Sequence, residues 1–562
     1  MTTLKATQTH CTLCSLGCTL GFETTPLGKV FPAYPGHITD NRHGICGRGH
    51  LNYELVDHAL RLEHPLVRQN GRLEPVPLAW ITEAVGPRLA TEPTLVLADG
   101  SLCAEDLLAA ATFARLLGNG AVFSIYMDPA DAGMLTGLAA SGVPILTPEQ
   151  LAECDAVLSI GDAFGTHPII SRAVHATTRR NPRRLFAVID SVPSRTTKFS
   201  NAFLQVRPAT TSLVLKFLAG ESVTAANVAG KAEVTESELL SLDAKLKTAR
   251  KLGVLVACDF GRDQDPEAVG LLAGRIAQKA SGGVLPLPIL GNAWAALGIH
   301  KTFEAVPIGE ALSRLTRGKF RNVLLLGVNP SVETPLPGLA DALARTNTLI
   351  VGTSLRPTSR SLGTHFLPLA TAVEASSTVV NGSTEVVELA SVTAPAGGAL
   401  PVRDILHLFA ARVGQASALS TTLKSEWLKP IAGSPDDCLK TDVLPVEPRT
   451  GELVAVSESG SVHLGSGVWS SRMSWPNVFE KTPAVRMAPE DAANRGLENA
   501  RPVTVTSSNG SATMTLKVDV LMKPGRVALM ATTPAVRTLF LWKQSHDGGI
   551  HSGPVAVRVS AS

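Results

Sequence analysis

Four cysteines near the start of the chain have the spacing of a ligand set. They are Cys11, Cys14 and Cys18, in Cys11-Thr-Leu-Cys14-Ser-Leu-Gly-Cys18, and Cys46, in Gly44-Ile-Cys46-Gly-Arg48-Gly49. A short turn aims three thiolates at one centre, and a glycine-lined loop returns the fourth. Four thiolates around a [4Fe–4S] cubane need this layout. Zinc is the competing occupant, although zinc sites usually come as two matched C-x2-C knuckles. Disulfides fit less well, because Cys103, Cys154, Cys258 and Cys438 are scattered singly in apolar contexts and read as small buried hydrophobes.

The elements that must position these thiols belong to a large chain. Its 562 residues are too many for one core. A 44% apolar and 18% charged composition suits a buried α/β interior, and a net charge of +3 gives no drive toward nucleic acid or an anionic membrane. No apolar run reaches the roughly 18 residues of a membrane helix, and no secretory signal or twin arginine precedes the cysteines. The expectation is a cytoplasmic protein without a direct membrane span and without a nucleic-acid partner.

After Asn70-Gly71, the turn of a short extended pair, one theme recurs: an apolar, β-branched run, a small-residue turn, then a helical pattern. It appears at 94–100, 156–162, 185–190, 254–259, 323–329 and 349–352. Such runs are strands buried on both faces and linked by helices in parallel βαβ units. Two stretches are alike, Leu158-Ser-Ile-Gly161…His167-Pro168 and Leu325-Leu-Gly327…Asn329-Pro330, which hints at two related sub-domains. Asn329-Pro330 reads as a turn, or as a ligand contact. From Gly451 onward short alternating strands dominate, with a hairpin turning at Asn509-Gly510. The expected architecture is α/β. Residues 1–60 form a small Fe–S module, 61–440 form two doubly wound parallel-sheet domains, and 441–562 form a β-barrel domain.

Together these features resemble the large subunit of the molybdopterin oxidoreductases, the family of formate dehydrogenase and dimethyl sulfoxide reductase. The residues that carry the likeness are the cluster cysteines with Arg48, His64-Pro-Leu-x-Arg68 with Trp80, Gly161…His167-Pro168, and Asp190…Arg195-Thr196-Thr197. Further along come Phe366-Leu-Pro368…Glu374…Asn381-Gly382, Ser466-Gly467…Ser471-Arg472, and Ala488-Pro-Glu-Asp-Ala492. The resemblance implies a [4Fe–4S] cluster on Cys11, Cys14, Cys18 and Cys46, and an Arg48 cation between cluster and pterin. It also implies a molybdopterin guanine dinucleotide held by Gly161, His167, Asp190, Arg195, Thr196, Ser466, Gly467, Ser471 and Arg472. For each of these the plainer alternative is open: a turn, a helix cap or a solvated polar loop.

The departures from the family pattern bear on function. Active members ligate the metal through a Cys, selenocysteine, Ser or Asp just before a Pro-x-x-Ala-Gly segment. Here that stretch reads Ser124-Ile-Tyr126-Met127-Asp128-Pro129-Ala-Asp-Ala-Gly133, which puts Tyr126 at the ligand position. A phenol with an ordinary pKa near ~10 is a poor default ligand, and Ser124 or Asp128 would serve only in a shifted register. No side chain is singled out as catalytic. This erosion resembles the large iron–sulfur subunit of respiratory complex I. The reading it favours is an electron-transfer or scaffold subunit of a multi-subunit complex, whose partners carry flavin or further Fe–S clusters. Two alternatives stand beside it: an active Mo/W-pterin oxidoreductase without a conventional protein ligand, and a non-redox interaction subunit stapled by its cluster.

Overall fold

A computed structural model describes residues 4–33, 44–180, 183–262, 265–328, 338–358, 361–429, 434–439, 445–460, 462–480, 482–544 and 550–562. Asn329-Pro330 lies outside them. The chain forms two compact units. One comprises Met1–Met127, Leu290–Pro430 and Gln544–Ile550; the other comprises Asp128–Ile289, Ile431–Lys543 and His551–Ser562.

The first unit opens with a three-stranded antiparallel sheet, β1 (Lys5–His10), β2 (Thr19–Thr24) and β3 (Val30–Pro32). Its main body is a seven-stranded sheet. The strands are β4 (Leu66–Gln69), β5 (Arg72–Pro75), β6 (Thr94–Asp99), β7 (Val122–Tyr126), β13 (Asn322–Leu326), β14 (Thr348–Thr353) and β15 (His365–Pro368). Their order is β5-β4-β15-β14-β13-β6-β7, with β4 and β5 antiparallel at one edge. The β4–β5 turn is the expected Asn70-Gly71, both residues at positive φ. Residues 95–98 of β6 are fully buried, as a strand covered on both faces requires. The Ala104–Leu117 helix packs on β6 and β7, and the Val402–Arg412 helix packs on it in turn. A hairpin of β16 (Ser377–Val380) and β17 (Val386–Leu389) completes this unit.

The second unit holds a five-stranded, all-parallel sheet of β8 (Ala156–Ile160), β9 (Leu185–Asp190), β10 (Ala202–Gln205), β11 (Leu252–Val256) and β12 (Gly283–Pro286). Its order is β10-β9-β8-β11-β12. Numbered from β8 this is 3-2-1-4-5, the doubly wound order, and the strand sequence reverses between β8 and β11. Two of its helices start alike. Asp128 accepts from the Ala130 amide ahead of Pro129, and Asp265 accepts from the Ala268 amide ahead of Pro266. An N-cap carboxylate followed by Pro at the first helical position fixes both helix starts. These helices, Pro129–Ser141 and Pro266–Lys279, pack on each other at glycines: a Cβ on Gly137 would lie 1.9 Å from the Glu267 carbonyl, and one on Gly270 2.2 Å from that of Met134.

The same unit carries a closed barrel of β18 (Leu453–Glu458), β19 (Ala484–Met487), β20 (Pro502–Ser507), β21 (Gly510–Val518) and β22 (Arg526–Met530), with two short strands β23 (Leu541–Gln544) and β24 (Ile550–Gly553) before its last member, β25 (Val555–Ala561). The order is β18-β22-β19-β21-β20-β25. Val503, Val505, Met514, Leu516, Val527 and Leu529 fill its interior at alternating positions. Among the described residues no helix is long and apolar enough to cross a membrane.

Candidate functional site

Cys11 directly follows β1 and Cys18 directly precedes β2, so the first three thiols ride on the connection between two paired strands. That connection closes on itself: the Cys11 amide donates to the Cys18 carbonyl at 2.8 Å, and His10 Nδ1 lies 3.1 Å from the Gly17 carbonyl. Gly17 turns at φ +60°, and a Cβ there would stand 3.3 Å from Asn381 Cβ. The Asn381–Glu385 turn between β16 and β17 holds the loop from outside, with the Gly382 amide donating to the Ser15 carbonyl at 2.6 Å. Asn381 Oδ1 in turn receives the amides of Ser383 and Glu385 at 3.0 Å each. Cys46 caps the short Gly47–His50 helix, which buries Arg48, and a Cβ on Gly49 would lie 3.5 Å from Cys11 Sγ.

The four thiols are close enough to act on one another. Burial raises Cys11 well above the usual thiol range and raises Cys14 to about 11. Burial likewise raises Cys18. Repulsion among the sulfurs adds to each, and the Arg48 guanidinium opposes it at Cys14 and Cys18. Cys11 is buried and Cys14 and Cys18 are half-buried, and thiols that resist ionisation give up their protons favourably when a multivalent cation replaces them. Among the described residues no three His, Cys, Asp or Glu side chains are placed to hold a single metal ion. The other four cysteines are buried, as expected for small hydrophobes.

At the carboxyl ends of the five-stranded sheet, the β8 turn runs through Gly161 at φ +81°, where a Cβ would meet the Ala257 carbonyl of β11's end at 2.3 Å. Asp162 organises the turn beyond Gly161. Its carboxylate receives the Gly165 amide at 3.2 Å, and the Thr196 amide and hydroxyl at 3.2 and 2.7 Å. Thr196 Oγ1 also accepts from the Phe164 amide. Thr196 is therefore a buried tie between two loops, with its hydroxyl engaged. His167 is likewise internal: Nδ1 meets Thr166 Oγ1 at 2.9 Å and Nε2 the Pro288 carbonyl at 3.0 Å. Asp190, the last residue of β9, is buried and paired with Arg262 at 3.3 Å, and it accepts from the Ser191 amide at 2.7 Å. The next hydroxyl, Ser191 Oγ, is buried with no hydrogen-bond partner among the described residues. Arg195 and Arg472 are exposed, and Ser466 and Ser471 are half-buried.

The barrel reaches this end of the sheet. Ser459, directly after β18, donates to Asp259 at 3.0 Å, and the Ser457 amide donates to the Gly261 carbonyl at 3.3 Å. The loop beyond them, 462–472, carries Ser466, Ser471 and Arg472. It is pinned where a Cβ on Gly467 would lie 2.6 Å from the Thr532 carbonyl. Asp259 is pushed up to about 6, chiefly by burial; Asp128 pushes the same way, and Arg262, the Ser459 hydroxyl and Arg537 oppose. Arg537 is itself buried, with its guanidinium 3.9 Å over the Phe260 ring and 5.6 Å from that of Trp542. Asp162, Asp259, Arg262 and Arg537 are not among the residues the resemblance singles out. The available signal was position: Asp259 ends its strand's run as Asp190 does.

The stretch that the resemblance compares with the family's metal-ligand segment lies at the end of β7. β7 ends on Tyr126, which is buried beside buried Met127. Ser124 lies wholly inside and donates to the Val306 carbonyl at 2.8 Å, and Asp128 serves as the helix cap. Glu374, another residue of the resemblance, is a buried brace: it binds Arg61 at 2.7 Å and receives the amides of Thr371 and Ala396 at 2.6 and 3.0 Å.

Residues 453–550 match the family model described as "Molydopterin dinucleotide binding domain". That stretch begins the barrel and contains the 462–472 loop. A 217-residue stretch is 26% identical to the F420-dependent formate dehydrogenase 2 subunit alpha of Methanococcus maripaludis, covering 37% of this chain and 32% of that protein. The chain thus spans about a third of the length of this relative. In three dimensions it resembles acetylene hydratase from Pelobacter acetylenicus, with a TM-score of 0.73 at 12% identity over 99% of this chain and 100% of that one. Together these likenesses support a molybdopterin oxidoreductase large-subunit family for the chain. Its barrel supports a molybdopterin cofactor, and the donor set of the second unit fits one. Exposed guanidiniums on Arg195 and Arg472 suit a pyrophosphate. An acidic residue at the end of the second strand suits a ribose or guanine amine, and the unpartnered Ser191 hydroxyl stands beside it.

Proposed function

We propose that this molybdopterin oxidoreductase-type large subunit is an iron–sulfur electron-transfer and scaffold subunit of a cytoplasmic multi-subunit redox complex. The observation that supports the reading is the Ser124 hydroxyl committed to Val306, beside the Tyr126 that the resemblance puts at the ligand position. Cys11, Cys14, Cys18 and Cys46 would hold a [4Fe–4S] cluster, with Arg48 as the cation beside it. The C-x2-C-x3-C spacing with a distant fourth cysteine supports a cluster over zinc, whose sites usually come as two matched C-x2-C knuckles. A single cluster transfers electrons only between partners, so subunits carrying flavin or further Fe–S clusters complete the complex.

In the second unit Arg195, Arg472, Ser466 and Ser471 would hold the dinucleotide, while Asp162 and Thr196 keep its two loops in register. When bound, the pterin supplies dithiolene sulfurs for a metal. The second reading, an active Mo/W-pterin oxidoreductase such as a formate dehydrogenase, is favoured by the match of the barrel to the dinucleotide-binding model. Elemental analysis of the purified complex decides between them. The first reading expects about four irons per chain and molybdenum and tungsten far below stoichiometry. A full equivalent of either heavy metal overturns it.

A further inference from the structure

The net charge of +3 conceals a local asymmetry. Between Asp162 and Glu221 the sequence carries nine arginines and lysines and a single acidic residue, Asp190. Asp190 is buried against Arg262, so this stretch presents no carboxylate of its own to water. Side chains from two of its elements meet. One is the Ile170–Arg180 helix, whose Ile170, Val174 and Thr177 are buried. Arg172, His175 and Arg179 stand at i−3, i and i+4 on the opposite face, and both arginines are exposed. Seven residues at about 1.5 Å each set the two arginines about 10 Å apart along the axis. The other element is the short turn Thr197–Phe199 ahead of β10. The Phe199 ring stands perpendicular to that of His175, with centroids 5.2 Å apart, yet remains 58% exposed, and Lys198 beside it is exposed too. The Pro148–Ala152 helix packs against the Ile170–Arg180 helix. Its Glu149 is engaged within the protein, and Glu153, just beyond it, pairs with Lys251 at 3.5 Å.

We propose that this face of the second unit docks an acidic segment of a partner protein. Two carboxylates about 10 Å apart meet Arg172 and Arg179, and an apolar side chain between them seats on Phe199. His175 makes one patch of the helix face and the phenyl ring. Charge selects the class of partner: an exposed strip of one sign repels basic surfaces and steers acidic ones toward it. Arginine and exposed aromatic rings are the residue types that protein interfaces concentrate. An extended segment with acids three residues apart spans the gap, at about 3.3 Å per residue. Single-stranded nucleic acid needs successive rings on which its bases stack, and a membrane surface needs several apolar side chains to insert. Among the described residues of these two elements, Phe199 is the one large apolar side chain exposed. The docking needs neither a cluster nor a metal, and so holds or fails independently of both.

The test is fluorescence anisotropy of the full chain with a fluorescein-labelled peptide, Glu-Glu-Leu-Ser-Glu-Glu, at low salt. Saturable binding is expected, weakening as salt screens the exposed charges. Arg172→Glu/Arg179→Glu should weaken it about tenfold. Phe199→Ala, or a peptide with serine in place of leucine, should weaken it about threefold. Arg317→Glu/Lys319→Glu, which reverses two exposed cations of the first unit, should leave it unchanged. If the double reversal does not fold, as read by its thermal midpoint, Arg172→Gln/Arg179→Gln takes its place with an expected loss of about threefold. A peptide that does not bind saturably, or that responds equally to both pairs of reversals, overturns the docking face. Equal binding of the serine peptide overturns the seat on Phe199. Hexathymidylate or phosphatidylserine vesicles that bind the same face more tightly than the peptide overturn the choice of an acidic protein as its occupant.

Discussion

At the scale of the residue, several side chains drawn toward a cofactor by resemblance are engaged within the protein. His167 has both ring nitrogens bound, and Thr196 ties two loops. Sequence spacing could not tell a ligand contact from a support, because that distinction depends on where a hydroxyl or ring nitrogen finds its partner. Asp99, which accepts from the Ser101 amide at 2.7 Å and whose carboxyl burial pushes up to about 6, gives a pH-dependent prediction. Its folded pKa is raised above the unfolded value, so the native state holds the proton more tightly, and stability falls as pH rises from about 4 to about 6. Asp99→Asn keeps the acceptor for Ser101 and removes this loss. Relative to its parent it should gain about 1–2 kcal/mol at pH 7 and nothing below pH 4. Denaturant unfolding at the two pH values checks it; an equal ΔΔG at both contradicts the assignment.

At the scale of the element, buried strands were the most legible feature. Runs such as Ala156–Ile160 and Asn322–Leu326 are apolar throughout, and both are strands covered on two faces. The Asn70-Gly71 and Asn509-Gly510 hairpins also stood out, because their turn chemistry is local. The three-stranded N-terminal sheet was not legible. Thr-rich β1 alternates weakly, and its partners are fixed by tertiary contact rather than by pattern. The role of Asn381–Glu385 as a brace on the cysteine loop was equally hidden, since the two are more than 360 residues apart in sequence. The glycine seam between the Pro129–Ser141 and Pro266–Lys279 helices carries a prediction of its own. Gly137→Ala places a methyl 1.9 Å from a backbone carbonyl that cannot rotate away. The helices must separate, at a cost of about 1–3 kcal/mol. A lower thermal midpoint with unchanged iron content is the expected outcome, and an unchanged midpoint would show that the seam yields freely.

At the scale of the whole molecule, the proposed cluster and the proposed dinucleotide site are expected to be separable, because the thiols lie wholly in one unit and the Asp162–Thr196 ties wholly in the other. Cys14→Ser should abolish the iron–sulfur electron-paramagnetic signal of the reduced complex while leaving any bound pterin, measured as its fluorescent oxidation product, at the level of the parent. Joint loss of both would mean that the cluster supports the fold beyond its own loop. The interleaving of the units has a further consequence for biosynthesis. Met1–Met127 acquires β13, β14 and β15 from a stretch that begins only at Leu290, after all five strands of the other unit's parallel sheet have been translated. The cysteine-bearing end must therefore wait on the ribosome with β6 lacking its β13 neighbour. Iron insertion should lag synthesis of the Asn381 turn, and a fragment ending at residue 127 should emerge as an aggregation-prone, iron-free product.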